Sequence, residues 1–537
     1  MIRLRQLKLP IDHQNTDLHQ AVCTKLKQPH LPLDSVKIFQ RAVDAREGKP
    51  LMFSYTVDVD LPEREEVSLL DRAKKNPKAQ MGPTPDMTYH FLENAFGRLP
   101  NRPLIVGTGP AGLFAGLLLA QMGFNPILFE RGKMAGPRAR DVTNFWRTGE
   151  FDPESNVQFG EGGAGTFSDG KLYTQIKDRD NRARKVLEEL TAHGAPKDIL
   201  VNARPHIGTD KLITVLRHLR ETILSLGGEI RYESKMTDLR IQDGSMRGIT
   251  LENGEQIDSD TVILAVGHSA RDVFELLIEK KVPIEQKSFS VGVRIEHPQS
   301  MVNQTQHGKY ANHPRLGSAS YRFVYHGQER RSVYSFCMCP GGQVVGASSE
   351  PGRLVTNGMS TFARDESNAN SGFMVEVHPA DLPDDDPLSG VNFQRDLEEK
   401  AFKLGGSNYH APVQLLGDFL KDKKSTEIRS IKPSFRPGVT LADLRQCLPP
   451  FVVKALKKAV PRIAKQLPGF DNPDAVLTAV ESRSSSPLRV TRGDDLQSTG
   501  VQGLYPAGEG AGYAGGIISA AVDGVRVAEA VAMKSRL

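Results

Sequence analysis

Short apolar runs that alternate with helical stretches are the clearest pattern in this chain. Residues 104–106 form an apolar run that leads into a glycine-rich turn and a helical stretch, and residues 127–129 form a second run. A third run over 261–266 ends at Gly267, and a fourth ends at Ala507 before another helical stretch. Short buried strands separated by helices predict an α/β domain with a parallel sheet.

The N-terminal part of the chain follows a different pattern. It combines period-two alternation with one helical stretch, which predicts a small α+β module with strands 2–9, 36–43 and 51–59 and helix 18–27. The first strand has a phase slip near Gln6. The stretch over 71–85 contains lysines and prolines without a clear period, and it predicts a linker.

The middle of the chain changes character after about residue 280. Before this point, residues 210–226 predict a strong helix that Thr209 would cap. After it, the pattern predicts an inserted α+β unit with strands 288–295, 332–338 and 343–347 and helices near 393–405 and 452–466. The predicted domains are 1–95 for the N-terminal module and linker, 96–275 and 475–537 for the two parts of a Rossmann-like domain, and 276–474 for the insert.

The turn after residue 106 carries a G-x-G-x-x-G motif in the context that a dinucleotide site needs. Gly107 permits the tight turn, Gly109 lets the backbone approach a pyrophosphate, and Gly112 lets the helix pack close to the strand. The helix N-terminus then faces the negative charge. The second strand closes on Glu130, where an acidic side chain can accept both ribose hydroxyls. The motif therefore predicts a bound adenine dinucleotide.

Composition and charge argue against a membrane protein, a secreted protein and a nucleic-acid-binding protein. The run over 103–129 lacks charge, but its glycines and Pro126 make a poor membrane helix, so we expect no membrane span. The N-terminus lacks the apolar core of a secretory signal, and four cysteines in 537 residues do not form a disulfide framework, which indicates a cytoplasmic protein. A net charge of +5 is too small to indicate nucleic-acid binding.

Two further glycine-rich segments bear on the cofactor. Residues 160–165 also match G-x-G-x-x-G, but neither a helix nor a strand with a closing acid follows, so the match does not indicate a second dinucleotide fold. The loop has free N–H groups that suit an anion or a ring edge. Residues 503–517 form a second glycine-dense turn before a helix of small residues. Nicotinamide dehydrogenases do not need this second element, whereas FAD extends from the first turn to a second holding site.

The chain resembles a known family at this point. The pairing of residues 104–131 with 503–530 is similar to the glutathione-reductase-like FAD superfamily. The strings at 155–172, 337–342 and 504–513 resemble its bacterial uncharacterised FAD-dependent dehydrogenases, over nearly the whole chain. The resemblance implies that Glu130 binds the adenosine ribose and that the backbone of Met236 meets adenine.

The resemblance also implies that residues 163–171 and 508–517 meet the pyrophosphate, the ribityl chain and the flavin. The residues expected around FAD are Gly107, Gly109, Pro110, Ala111, Gly112, Glu130, Arg131, Gly163, Ala164, Gly165, Thr166, Asp169, Gly170, Lys171, Met236, Ala265, Gly267, Gly508, Glu509, Gly510, Gly516 and Ile517.

The catalytic residues are not determined by any motif. Cys337 and Cys339 are two apart on a predicted strand, so their thiols would face the same side. Three interpretations are open: a redox pair, a metal site or two structural thiols. The C-x-C spacing suits an unstrained disulfide poorly. Because no histidine lies at a metal-binding spacing, we expect no metal.

Further polar residues are candidates for substrate contact. Arg364 with Asn368 and Asn370 forms a polar cluster that would grip an anionic substrate or lie in a solvated loop. The segment 483–487 would reach the ring or form a turn, and His206 and His268 are expected to be structural.

The leading function is an FAD-dependent oxidoreductase that transfers a hydride between an unidentified small molecule and the flavin. One alternative is a flavin reductase fed by NAD(P)H, which would dock transiently, acting on an apolar or isoprenoid-like substrate. Another is an RNA-associated flavoprotein that binds through the N-terminal module, although the small net charge favours a protein without a nucleic-acid partner.

Overall fold

The computed structural model describes residues 1–46, 49–92, 99–327 and 331–534. The N-terminal module is an antiparallel sheet in the order β2-β3-β1-β4, with helices packed on it. Its elements are β1 (Ile2–Pro10), α1 (Asn15–Leu26), β2 (Val36–Asp44), β3 (Met52–Val59), α2 (Glu63–Lys74) and β4 (Met81–Pro83). The phase slip near Gln6 is a β-bulge, where the register of β1 with β3 shifts between Leu4 and Leu7.

The predicted linker over 71–85 is only partly a linker. Helix α2 continues to Lys74, and β4 pairs with the outer edge of β1. The stretch therefore completes the sheet of the module, because its backbone covers an edge that β1 would otherwise expose.

The first part of the Rossmann-like domain alternates strands and helices as the sequence predicts. Its elements are β5 (Leu104–Val106), α3 (Pro110–Gln121), β6 (Ile127–Phe129), α4 (Ala135–Thr148), α5 (Arg182–Ala192), α6 (Thr209–Ser225), β7 (Glu229–Arg231), β8 (Met236–Gln242), β9 (Ser245–Leu251), β10 (Gln256–Asp258), β11 (Val262–Leu264) and α7 (Arg271–Glu279). Strands β8, β9 and β10 form a separate antiparallel sheet. Thr209 is not the cap of α6, because Gly208 holds that position and the Thr209 hydroxyl donates to the carbonyl of Thr166.

The inserted unit is built around a seven-stranded sheet in the order β14-β15-β18-β13-β21-β19-β20. Its elements are β12 (Ile284–Gln286), β13 (Phe289–Pro298), α8 (Gln299–His307), β14 (Val324–His326), β15 (Ser332–Cys339), β16 (Gln343–Gly346), β17 (Thr356–Met359), β18 (Asn368–Val377), α9 (Ser389–Gly405), β19 (Ala411–Leu415), α10 (Leu416–Leu420), β20 (Val439–Leu441), α11 (Pro450–Gln466), β21 (Val476–Glu481) and β22 (Leu488–Val490). Strand β21 lies beyond the predicted boundary at 474 but belongs to this sheet, because it pairs with β13 and β19.

The C-terminal elements β23 (Leu504–Pro506) and α12 (Ile517–Lys534) return to the Rossmann-like domain. Strand β23 pairs in parallel with β11 and completes a sheet in the order β23-β11-β5-β6-β7. Helix α12 packs against α3, where Gly524 lets it approach the backbone of Ala111. The fold is α/β with an inserted α+β unit, as predicted. Within the described ranges, no helix has both the length and the apolar character to cross a membrane.

Candidate flavin site

A cleft of about 480 Å³ lies at the carboxyl ends of β5, β6 and β11. Its volume falls in the range of ordinary small-molecule sites, and its position is the one where open α/β sheets bind ligands. The glycine-rich loops after β5 and β23 and the loop at 158–171 line one part of it. Residues of the inserted unit line the other part.

The first glycine-rich turn has the geometry that a pyrophosphate requires. Gly107 has φ +102°, and a Cβ there would overlap the carbonyl of Ala265. A Cβ at Gly112 would overlap the carbonyl of Gly107, so this glycine serves the close packing of α3 on the sheet. A Cβ at Gly109 has only the Cα of Gly163 within 4 Å, at 3.9 Å, so a side chain there would enter the cleft.

The loop over 158–171 is held in place by a buried arginine on α4. The Arg138 side chain is fully buried, and burial lowers its pKa to about 10, so it remains charged at neutral pH. Its guanidinium donates, at 2.7–3.2 Å, to the carbonyl oxygens of Asn156, Val157, Gly160, Glu161 and Gly163. The loop therefore reaches the cleft as a preorganised backbone surface.

Glu130 lines the cleft, but its carboxylate is already engaged by the protein. Oε2 accepts from the backbone N–H and the hydroxyl of Thr108, at 2.9 and 2.7 Å. Oε1 accepts from the N–H groups of Gly132 and Gly160, at 2.9 and 3.0 Å. A carboxylate offers about four lone-pair sites. The carboxylate of Glu130 thus joins three loop segments, and its binding of the ribose hydroxyls stays a prediction.

Most of the predicted FAD residues line the cleft and four do not. A Cβ at Gly508 would stand 2.8 Å from that of Ala111, and one at Gly510 would overlap the carbonyl of Gly267, so both glycines let loops pack together, as Gly112 does. Thr166 is buried behind the cleft. The lining residues are Gly107, Gly109, Pro110, Ala111, Glu130, Arg131, Gly163, Ala164, Gly165, Asp169, Gly170, Lys171, Met236, Ala265, Gly267, Glu509, Gly516 and Ile517.

The inserted unit supplies a wall that sequence reasoning largely missed. Cys337, Arg483 and Ser484 were recognised as candidates. Arg322, Phe336 and Asn357 lie in segments without a motif, and only folding brings them to the cleft. His268, expected to be structural, also lines the cleft. The side chains of this wall are Arg322, Phe336, Cys337, Asn357, Arg483 and Ser484.

The two cysteines do not face the same side, contrary to the prediction. The register of β15 with β18 shifts between Phe336 and Cys339, and Cys337 lies in the bulge with φ +45°. Cys337 lines the cleft, whereas Cys339 is fully buried outside the lining and donates from Sγ to the carbonyl of Cys337. Burial raises the pKa of Cys339 to about 12. Both thiols are free, and the described residues contain no group of three side chains suited to a metal ion.

The predicted polar cluster of Arg364, Asn368 and Asn370 does not form at the cleft. Arg364 pairs with Asp169, with Nε 2.8 Å from Oδ1. Asn368 donates to Glu296 at 3.0 Å, and Asn370 accepts from Arg294 at 3.2 Å. Neither Arg364 nor Asn368 is a lining residue, because the Arg364 side chain is bound to the lining residue Asp169 and that of Asn368 to the buried Glu296.

A buried ion cluster joins the insert to the Rossmann-like domain behind the cleft wall. Glu398 on α9 is fully buried and accepts from Arg271 on α7 at 2.7 and 2.8 Å. It also accepts from Arg483 at 2.8 and 2.9 Å. Because Arg483 itself lines the cleft, this cluster fixes the position of a wall residue.

Two titratable side chains of the cleft, Glu509 and His268, lie close to each other. Glu509 Oε1 lies 3.8 Å from His268 Nε2. Burial raises the pKa of Glu509 to about 7, and the charge of Lys287 opposes the shift. Burial, with the charges of Arg483 and Arg271, lowers the pKa of His268 to about 3. At neutral pH the imidazole of His268 is therefore uncharged, and the carboxyl of Glu509, with a pKa of about 7, is present in both its protonated and its ionised form.

Three family models match parts of the chain. Residues 288–484 match "FAD-dependent protein, C-terminal domain-like", and residues 105–172 match "NAD(P)-binding Rossmann-like domain". Residues 1–60 match a domain of unknown function, DUF8436. The first match spans the inserted sheet, including β21, and the second spans the glycine-rich turn.

A protein of Clostridium beijerinckii, described as an uncharacterized protein, is 45% identical over 540 residues, 99% of each chain. The chain belongs to the family of this clostridial protein. Protein FixC of Escherichia coli K12 is 26% identical over 247 residues, 44% of this chain and 54% of FixC.

Solved structures that the chain resembles include CtdE in complex with FAD and L-proline dehydrogenase from P. horikoshii. CtdE is 12% identical with a TM-score of 0.32, over 80% of this chain and 83% of that one. The dehydrogenase is 12% identical with a TM-score of 0.34, over 81% and 95%.

The family models and the cleft agree on the cofactor. The chain is an FAD-dependent protein of the oxidoreductase class, which confirms the prediction made from the two glycine-rich elements. The open space at Gly109 and the N-terminus of α3 suit a pyrophosphate, and the loops at 163–171 and 515–517 suit the rest of an extended ligand.

Proposed function

We propose that this protein is a dehydrogenase that moves a hydride between a small organic substrate and FAD, and that it belongs to the glutathione-reductase-like flavoprotein superfamily. The observation that supports the reaction is the continuity of the cleft. One cavity is lined by the dinucleotide turn and by the inserted unit, so a substrate held against that unit would lie beside the cofactor. FAD, when bound, supplies the acceptor or donor of the hydride.

The side chains of the cleft supply binding and proton handling. Arg483 and Ser484 form part of the wall against which a substrate would be oriented, and the ion cluster of Glu398 keeps Arg483 in place. When a substrate loses a hydride from carbon, a proton usually leaves its neighbouring oxygen or nitrogen. The carboxylate of Glu509 would accept that proton, because its pKa of about 7 suits a base at neutral pH.

Anaerobic titration of the yellow, FAD-loaded protein tests the proposal. We expect at least one organic metabolite to bleach the flavin absorbance, and air to restore it. Bleaching by NADH or NADPH alone, followed by reoxidation with an apolar acceptor, would instead establish the reductase. A protein that neither the metabolites nor the pyridine nucleotides reduce would contradict the hydride-transfer reaction.

A further inference from the structure

The charged side chains that line the cleft differ in whether the protein gives them hydrogen-bond or ion-pair partners. Glu130 and Asp169, two acids of the lining, already accept hydrogen bonds from the protein. The cation of Arg483 is paired with Glu398. Arg322 differs from all of these. It is exposed in the wall of the cleft, and it has neither a hydrogen bond nor an ion pair with any residue that the structure describes.

Asn357 adds a second unused donor to the same wall. Its Oδ1 accepts from Arg294 Nη2 at 2.8 Å and from the N–H of Gly358 at 2.8 Å. Both partners are donors, so the oxygen must face them, and the NH₂ group points the other way. That NH₂ group makes no hydrogen bond within the described ranges. Arg294 is itself fully buried and paired with Glu481, so the orientation of Asn357 is well determined.

Two hydrogen-bond donors that have no acceptor within the described protein favour a ligand that carries hydrogen-bond acceptors. An arginine can bind a carboxylate through two parallel hydrogen bonds, and such charge-assisted bonds are about twice as strong as neutral ones. Phe336 and Cys337 lie in the same wall and offer a less polar surface. The unused donors and this surface together suit an organic acid.

We propose that the substrate is an organic anion whose carboxylate binds Arg322 and the side-chain amide of Asn357. This inference rests on the proposed dehydrogenase function, and it deepens that function by naming the substrate class. The anion would be oriented by its carboxylate, with its carbon skeleton directed along the wall towards the cofactor side of the cleft.

Binding of model carboxylates to the oxidised holoenzyme tests the inference without turnover. The probes are benzoate and acetate, each compared with its neutral amide, and the readout is perturbation of the flavin absorption band at constant ionic strength. We expect at least one carboxylate to bind more tightly than its amide. Arg322→Ala should weaken that binding by about tenfold or more, and Arg322→Lys should weaken it less.

Arg217→Ala is the matched control, because Arg217 is an exposed arginine on α6 outside the lining. It should leave carboxylate binding unchanged. The inference is overturned if no carboxylate binds better than its amide, or if Arg322→Ala leaves the response intact. It is also overturned if that variant alters the spectrum or retention of FAD while carboxylate binding persists, because Arg322 would then serve the cofactor. If carboxylates bind but no metabolite reduces the flavin, the proposed dehydrogenase reaction is refuted, whereas the proposed carboxylate site is retained.

Discussion

The main chain of Gly163 lies directly against that of Gly109. A Cβ added at Gly163 would stand 3.1 Å from the Cα of Gly109, and Gly163 also has φ +62°. The second glycine-rich loop is therefore packed on the first, although it is not a dinucleotide motif itself. The backbone of the second loop therefore forms one side of the phosphate-binding turn of the first.

Gly109→Val should abolish or greatly weaken FAD binding. The new side chain would stand in the open part of the cleft, where the pyrophosphate is expected, so we expect at least a tenfold loss of affinity. Flavin absorbance after purification and reconstitution with added FAD measure the effect. The matched control is Gly136→Val, since Gly136 is exposed on α4 with no atom within 4 Å of an added Cβ. Equal FAD content in the two variants would contradict the assignment of this turn.

Arg138→Met should destabilise the apoprotein as well as the holoenzyme. The change leaves several buried carbonyl oxygens of the loop at 156–163 without a donor, so we expect a loss of about 3 kcal/mol or more in the free energy of unfolding. Chemical denaturation with and without FAD measures it. Arg140→Met, on the exposed side of the same helix, should change the free energy by less than about 0.5 kcal/mol. A similar small effect at both positions would show that Arg138 does not hold the loop.

Glu398→Gln should loosen the junction between the insert and the Rossmann-like domain. Burial alone would raise the pKa of Glu398, but the charges of Arg271 and Arg483 outweigh it and hold the pKa well below its usual range. The substitution leaves Glu350 as the remaining carboxylate beside the two buried guanidinium groups, among the residues that the structure describes, for an expected cost of about 3 kcal/mol. The neighbouring Glu399→Gln changes an exposed residue paired with Lys403 and should be nearly neutral.

The contribution of Glu398 to stability changes with pH in a definite direction. Its pKa is lower in the folded protein than the value of 4.5 expected when unfolded, so its contribution to stability is complete above that value. The contribution should decrease as the pH falls through the folded pKa. Glu398→Gln should lack this acid dependence. An unchanged acid unfolding profile would contradict the role assigned to this carboxylate.

Much of the fold could be predicted because the signals were local. The strands at 104–106 and 127–129 have flanking turns in sequence, and the roles of Gly107 and Gly112 follow from the backbone that such turns require. The phase slip near Gln6 likewise appears as a bulge. FAD was predictable because two glycine-rich segments, separated by the insert, must meet at one ligand.

The parts that could not be predicted depend on tertiary contacts. Strict strand alternation would place Cys337 and Cys339 on one face, but the bulge overrides it. Arg322 and Asn357 have no local pattern, since only the folding of the inserted unit brings them to the cleft. Arg364 was assigned to a local cluster, whereas its partner Asp169 lies far away in sequence. Isolated charges cannot be paired from sequence when the partners belong to different domains.

Glu509 should make the stability of the apoprotein fall as the pH rises towards neutrality. Burial raises its pKa to about 7 in the folded protein, against 4.5 when unfolded, with His268 and Lys287 as the facing groups. Between these two values the folded state retains a proton that the unfolded state has lost. Stability contributed by this group therefore decreases with rising pH in that window and is constant above it.

Urea denaturation of the apoprotein from about pH 4.5 to about pH 8 measures this contribution. Glu509→Gln has no proton to lose, so its stability should fall less steeply across the window than that of the unmodified protein. Glu279→Gln, at an exposed position near the end of α7, is the control and should keep the original slope. If Glu509→Gln and the unmodified protein show the same slope, the Glu509 carboxyl does not titrate near neutrality, and another group must handle the proton that accompanies the hydride.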